Sequence, residues 1–172
     1  MVHYSVIKTS DLKVLPIQNI CEDNCLLFLW ATYPNLPSAM EVMKSWGFKF
    51  KTIGFQWVKL NIKNGFPFFG IGYYTASNSE PCLIGIKGKP FKHDKKESSI
   101  VMYPRMEHSK KPDEIRRRIN TMYPKLSKIE LFARKENFIK HIDGWDATGL
   151  GYDGKLIQDF LKENIKKVDI IH

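Results

Sequence analysis

Six consecutive apolar residues, Leu26-Leu27-Phe28-Leu29-Trp30-Ala31, constrain this chain more than any other feature. The run is far shorter than the roughly 20 residues a helix needs to cross a bilayer. It also lacks the polar alternation of a strand with one wet face. It therefore reads as a strand covered on both faces, the kind found in sheets packed between helices.

The flanking residues support that reading. Ser10-Asp11-Leu12 opens a short helix, and residues 16–20 add another turn. Pro37 suits a first helical turn, Ala39, Met40, Val42, Met43 and Trp46 follow at helical spacing, and Gly47 suits the C-terminal cap. Residues 48–60 alternate and are rich in aromatic and β-branched side chains, as a strand should be. Residues 80–86 form another strand, ending in the turn-prone Lys87-Gly88-Lys89-Pro90 and a basic stretch at 92–96. A helix is expected from 111 to about 122, with Asp113 and Glu114 in its first turn. A short strand at 128–133 and a helix over 155–167 complete the chain. With no repeat and no Gly/Ser-rich linker, residues 1–172 are expected to form one α/β domain with a parallel or mixed sheet. Ligands of such folds sit beyond the carboxyl ends of the strands.

Composition narrows the function classes. Lys and Arg number 27 against 18 Asp and Glu, a formal charge of +9, which favours polyanionic partners through counterion release. Cys21, Cys25 and Cys82, with scattered histidines, have no zinc-site spacing, so free thiols in a reducing compartment and no metal are expected. The N-terminal residues lack the basic-then-apolar pattern of a secretory signal, and no membrane span is legible, so a cytoplasmic location is expected.

Residues 61–79 make a loop too long for a simple connector, with Phe66, Phe68, Phe69, Tyr73 and Tyr74 among Gly65, Pro67, Gly70 and Gly72. Interleaved with Lys59, Lys63, Asn64 and Asn78, these rings suit stacking on an extruded base with phosphates held alongside. They equally suit a loop whose rings pack back on the core. Lys92, Lys95 and Lys96 are at most phosphate contacts without base specificity.

An ordered set of segments resembles the MT-A70 methyltransferase family. Leu27-Phe28-Leu29-Trp30-Ala31-Thr32 is followed by Ser45-Trp46-Gly47-Phe48-Lys49 and Phe55-Gln56-Trp57-Val58-Lys59. Glu80-Pro81-Cys82-Leu83-Ile84-Gly85-Ile86-Lys87-Gly88, His108-Ser109-Lys110-Lys111-Pro112-Asp113-Glu114, Ile129-Glu130-Leu131-Phe132-Ala133-Arg134 and Gly144-Trp145 come next in order. The resemblance implies transfer of a methyl group from S-adenosyl-L-methionine to N6 of adenine. It also implies a Rossmann-like three-layer αβα sandwich of the permuted class I methyltransferase type. By the same resemblance, Lys111, Arg134, Asn137 and Gly149 belong to the cofactor site, and Glu80 lies near the target-adenine pocket. Outside that context Lys111 and Arg134 fit solvated charges, and Glu80 fits a partner of Lys87 or Lys89. Lys59, Lys63, Tyr73, Tyr74 and Asn78 are the candidate nucleic-acid contacts, with DNA favoured over RNA because no RNA-binding appendage is visible.

One family feature is missing. The resemblance implies a strand ending in Asp-Pro-Pro-Trp, whose acid or amide and neighbouring carbonyl accept the target amine's protons. No Pro-Pro dipeptide occurs in this sequence, and no catalytic residue is assigned from it. The absent strand is expected to leave an unpaired edge or gap beside residues 26–31, filled by a protein partner, a second copy or an upstream segment. A non-catalytic nucleic-acid-binding subunit, or a remnant, is the alternative expectation.

Overall fold

A computed structural model describes residues 7–106, 110–134, 144–164 and 166–172. After α1 (Thr9–Lys13) and a 3-10 turn (Ile17–Ile20), β1 runs over Cys21–Trp30. A second 3-10 turn (Tyr33–Asn35) leads into α2 (Leu36–Ser45), then β2 (Lys49–Leu60), β3 (Ser79–Lys87) and β4 (Ile100–Pro104). α3 (Asp113–Met122), β5 (Lys128–Glu130), β6 (Trp145–Ala147), α4 (Ile157–Glu163) and β7 (Val168–Ile171) follow. The described strands form one seven-stranded mixed sheet in the order β4-β2-β3-β1-β7-β5-β6.

The apolar run lies near the middle of that sheet and feeds both of its faces. Leu27 joins Val42, Met43 and Trp46 of α2, Leu83 of β3 and Leu161 of α4 in one core. Leu26 and Phe28 join Phe55 of β2, Val101 of β4, and Ile115 and Ile119 of α3 in the other. Phe28 stacks on Phe55 with ring centroids 6.0 Å apart. Successive side chains of a strand point to opposite faces, so an unbroken apolar run is what two covered faces require. The result is the expected three-layer αβα sandwich, with α1, α2 and α4 on one face and α3 on the other. Trp46 donates its indole N–H to the Leu12 carbonyl at 2.7 Å and so pins α1 to α2. Gly47 takes φ +84°, the left-handed turn that ends α2.

Several expectations are corrected here. No open edge remains beside the amino-terminal half of the apolar run. β7 pairs parallel to β1 through Cys21↔Val168, Leu26↔Ile170 and Leu27↔Ile171, and parallel to β5 on its other side. Val168, Ile170 and Ile171 are all buried there, and the apolar flank of β1 is the reason. The helix expected over 155–167 stops at Glu163, because the Asn164 side chain accepts the Lys166 N–H and turns the chain into β7. The strand expected over 128–133 ends at Glu130, where Leu131 and Phe132 turn and Phe132 takes φ +58°. β4 and β6 were not anticipated at all. The three cysteines are buried free thiols. Among the described residues no helix is long and apolar enough to cross a membrane.

Candidate functional site

The parallel strands β1, β7 and β5 end side by side, and a cavity of about 290 Å³ opens at their carboxyl ends. Its walls are largely apolar: Leu27, Phe28, Leu29 and Trp30 of β1, Trp46 after α2, and Leu131 and Phe132 after β5. Four charged side chains, Lys111, Arg116, Glu130 and Arg134, also line it, together with Ile171 and His172. A concave apolar chamber with a few convergent polar groups is the usual form of a small-molecule site.

Two buried charge clusters flank the chamber. The first is centred on Glu80, which is 5% exposed at the start of β3. Its carboxylate meets the Lys59 ammonium at 3.1 Å and also pairs with Lys111. The Lys111 ammonium rests 5.3 Å from the centre of the Trp30 ring, and that of Lys59 lies 5.1 Å from Trp57. The two indoles meet edge to face at 6.3 Å. Glu80 is thus held from β2 and from the segment before α3, not by Lys87, which donates to the Glu22 carbonyl instead.

The second cluster joins α3 to β5. Arg116, 3% exposed, donates to Glu130 at 2.5 Å and also pairs with Asp113. Burial pushes the Glu130 carboxyl up, but His172 and Arg116 outweigh it and hold the group below the usual carboxylate range. Trp145 donates its indole N–H to Asn120 at 2.8 Å, and its ring lies 5.8 Å from that of His172.

Lys111 and Arg134 share one chamber, with Glu80 bound to Lys111 at its edge. Asn137 falls outside the described residues. Gly149 does not line the chamber. It packs so close to the turn after β5 that an added Cβ would lie 2.6 Å from the Ala133 nitrogen and 2.8 Å from its oxygen. The Gly149 and Lys155 N–H groups are both taken by the Asp153 carboxylate, so that loop supplies its own anion. These bonds and the Thr148 hydroxyl hold the Asp153 carboxyl low against the opposing effect of burial.

In the loop after β2, Phe66, Phe69, Tyr73 and Tyr74 project into solvent, Tyr73 and Tyr74 being 94% and 92% exposed. The two tyrosines meet edge to face at 4.8 Å. Phe68 is capped by the Arg105 guanidinium 3.7 Å above its ring. Lys63 is exposed, Asn78 is half-buried, and Lys59 is drawn inward onto Glu80. Gly72 is required by the tight return of this loop, since a Cβ there would overlap the Thr75 carbonyl.

Arg116, Glu130 and His172 were not singled out from the sequence. Glu130 stood inside a quoted segment, and Arg116 shares the Ile115/Ile119 face of α3, where a charge needs a partner. His172 gave no signal.

Residues 1–151 match the family described as MT-A70, which covers most of the chain. The chain belongs to the MT-A70 family. Among curated relatives it is 37% identical over 149 residues to a Type II methyltransferase, M.MunI, of Mycoplasma sp, covering 86% of this chain and 59% of that protein. It is 30% identical over 169 residues to an N(6)-adenosine-methyltransferase MT-A70-like protein of Arabidopsis thaliana, covering 95% of this chain and 23% of the relative. Against the human N(6)-adenosine-methyltransferase catalytic subunit METTL3 the identity is 29% over 157 residues, 88% of this chain and 26% of the relative. The chain thus spans less than two thirds of the length of each.

Proposed function

We propose that this chain forms the cofactor-binding and outer base-pocket part of an adenine-N6 methyltransferase that uses S-adenosyl-L-methionine and acts on DNA. The observation that carries the reading is the chamber at the strand ends, with aromatic and aliphatic walls, the cations of Lys111, Arg116 and Arg134, and the Glu130 carboxylate. That donor set fits the cofactor: apolar walls for adenine, cations for its terminal carboxylate, and a carboxylate for ribose hydroxyls or the amino group. Lys111 and Arg134 would hold it, with Asn137 at the ribose, while Gly149 acts through the packing of the turn that carries Arg134.

When bound, S-adenosyl-L-methionine would supply an electrophilic sulfonium methyl for the adenine amine, with the thioether as leaving group and one amine proton lost. The chain's own part is positioning and exclusion of water. Trp30, Trp46 and Phe132, which line the chamber, would help to exclude water from it. Glu80, fixed by Lys59 and Lys111, would mark the wall of the base pocket. Tyr73 and Tyr74 would stack on the extruded base or its neighbour, with Lys63 and Asn78 toward the backbone. A group accepting the amine protons would come from another segment or a partner chain, since this sequence has no Asp-Pro-Pro-Trp. DNA rather than RNA is favoured by the higher identity to the Type II methyltransferase than to the N(6)-adenosine-methyltransferases.

The test is calorimetry with S-adenosyl-L-methionine, followed by transfer of a labelled methyl to DNA and RNA in the presence of the purified chain. Arg134→Ala and Lys111→Ala should each weaken binding roughly tenfold, the worth of one charge-assisted hydrogen bond. Absence of binding by the wild-type chain, or unchanged affinity in both variants, overturns the reading. Transfer to RNA but not DNA overturns the substrate assignment alone.

A further inference from the structure

His172 lines the chamber and contacts both Trp30 of β1 and Glu130 of β5. Its ring lies between Trp30 of β1 and Trp145 of β6, and its side chain is only 5% exposed. Its backbone is fixed on the β5 side: its N–H donates to the Ile129 carbonyl at 2.9 Å, and its carbonyl accepts the Leu131 N–H at 2.8 Å.

The two ring nitrogens do different things. Nε2 accepts the indole N–H of Trp30 at 2.9 Å. An indole nitrogen can only donate, so Nε2 must carry the lone pair and, in the neutral ring, Nδ1 carries the hydrogen. Nδ1 stands 3.5 Å from the Glu130 carboxylate and has no shorter partner. Glu130 also takes the Arg116 guanidinium. On the other side, Trp30 presents its ring face to the Lys111 ammonium, which is bound to Glu80. The imidazole therefore stands where the two charge clusters approach one another.

We infer that His172 is a positioning residue of the cofactor chamber. By accepting the Trp30 N–H it fixes the tilt of the indole on which Lys111 rests. By facing Nδ1–H toward Glu130 it keeps that carboxylate turned to Arg116. The chamber-facing cation and carboxylate are thus both oriented from a single ring that needs no contact with the reacting atoms. The inference rests on the cofactor reading of the chamber, and it has a readout that does not.

Two variants separate orientation from bulk. His172→Leu keeps apolar volume and removes the acceptor; His172→Gln returns a carbonyl oxygen able to take the Trp30 N–H. Without ligand, the indole N–H resonance of Trp30, assigned by its loss in Trp30→Phe, should shift and exchange faster with solvent in His172→Leu and stay near its wild-type position in His172→Gln. With S-adenosyl-L-methionine, His172→Leu should raise the dissociation constant roughly fivefold to tenfold, in line with one lost buried hydrogen bond, and His172→Gln by less than about twofold. Trp30→Phe removes the same bond from its other end. If His172→Leu does not fold, Trp30→Phe should show a similar loss of affinity, and His172→Gln added to it should cost little more. An unmoved indole resonance in His172→Leu overturns the positioning role. So does unchanged affinity in His172→Leu and Trp30→Phe, or a failure of glutamine to rescue. Absence of cofactor binding by the wild-type chain removes the reading of the chamber and the role of His172 in it, while the resonance still decides whether the Trp30 bond exists.

Discussion

Replacing Glu80 by alanine should lower stability by about 2–3 kcal/mol. The carboxylate is 5% exposed and holds two ammoniums, Lys59 at 3.1 Å and Lys111 closer still. Removing one member of a fully buried ion pair costs about 3–5 kcal/mol, because the survivor is left without a counter-ion. Here the survivors keep 21% and 29% of their side-chain surface, so both can turn partly to water, which brings the figure down. For a domain of this size each kcal/mol moves the melting temperature by about 2–4 °C, so the drop should be roughly 4–12 °C by circular dichroism. The same logic predicts compensation. Adding Lys59→Met and Lys111→Met removes the stranded charges, and the triple variant should melt above Glu80→Ala alone. A Glu80→Ala protein melting within about 1 °C of wild type refutes the reasoning, as does a triple variant that melts lower than the single one.

The remaining perturbations test other parts of the molecule. Arg117 first, with Arg118 adding to it, holds the Glu114 carboxyl down at about 2 from an ordinary 4.5, against the opposing effect of burial. Its folded value lies below its unfolded one, so its contribution is complete above about pH 4.5 and is lost as pH falls through about 2. Glu114→Gln should therefore flatten the acid side of the melting temperature–pH profile in that window, and an unchanged profile counts against the pairing. Ile170 is fully buried in β7, so Ile170→Ala should cost about 2–5 kcal/mol in chemical denaturation, and a loss under about 1 kcal/mol would mean that β7 does not lie inside the sheet. Tyr73→Ala and Tyr74→Ala should leave the melting temperature unchanged because both rings are exposed, yet weaken binding to single-stranded DNA by roughly fivefold or more in fluorescence anisotropy; equal affinity would refute the stacking role.

Much of the fold was legible because its signals are local. The apolar run of β1, the helical spacing before Gly47 and the acidic first turn of α3 each appear within about ten residues of sequence. What escaped depends on distant partners. β7 is four residues following a lysine-rich stretch whose Leu156, Ile157, Phe160, Leu161 and Ile165 keep helical spacing, and only the flank of β1 makes it a strand. β4 exists because β2 offers it a parallel edge from Gln56 to Leu60. The site divides in the same way. Lys111 and Arg134 sit in recognisable segments, whereas the partners of Glu80 are set by tertiary packing. Lys87 and Lys89 are near it in sequence, but the far end of β3 turns Lys87 to Glu22 and the Lys89 N–H to Asn24. His172 could not be read at all, since its meaning comes from Trp30 and Glu130, which are remote in the chain.

The chamber lies where β1 runs on past its pairing with β7. β1 has ten residues and β7 four, and their pairing ends at Leu27↔Ile171. Phe28, Leu29 and Trp30 continue beyond it and, with Leu131 and Phe132, wall the cavity. The chamber is therefore the carboxyl end of the slot between β1 and β5, the part that β7 leaves open. An apolar strand with no neighbour would expose its flank and its backbone edge, which favours filling the slot. Val168-Asp169-Ile170-Ile171 does so: three buried aliphatic side chains cover the flank, and Asp169 pins the strand's entry by accepting from the Ser127 backbone N–H at 2.9 Å and its hydroxyl at 2.8 Å.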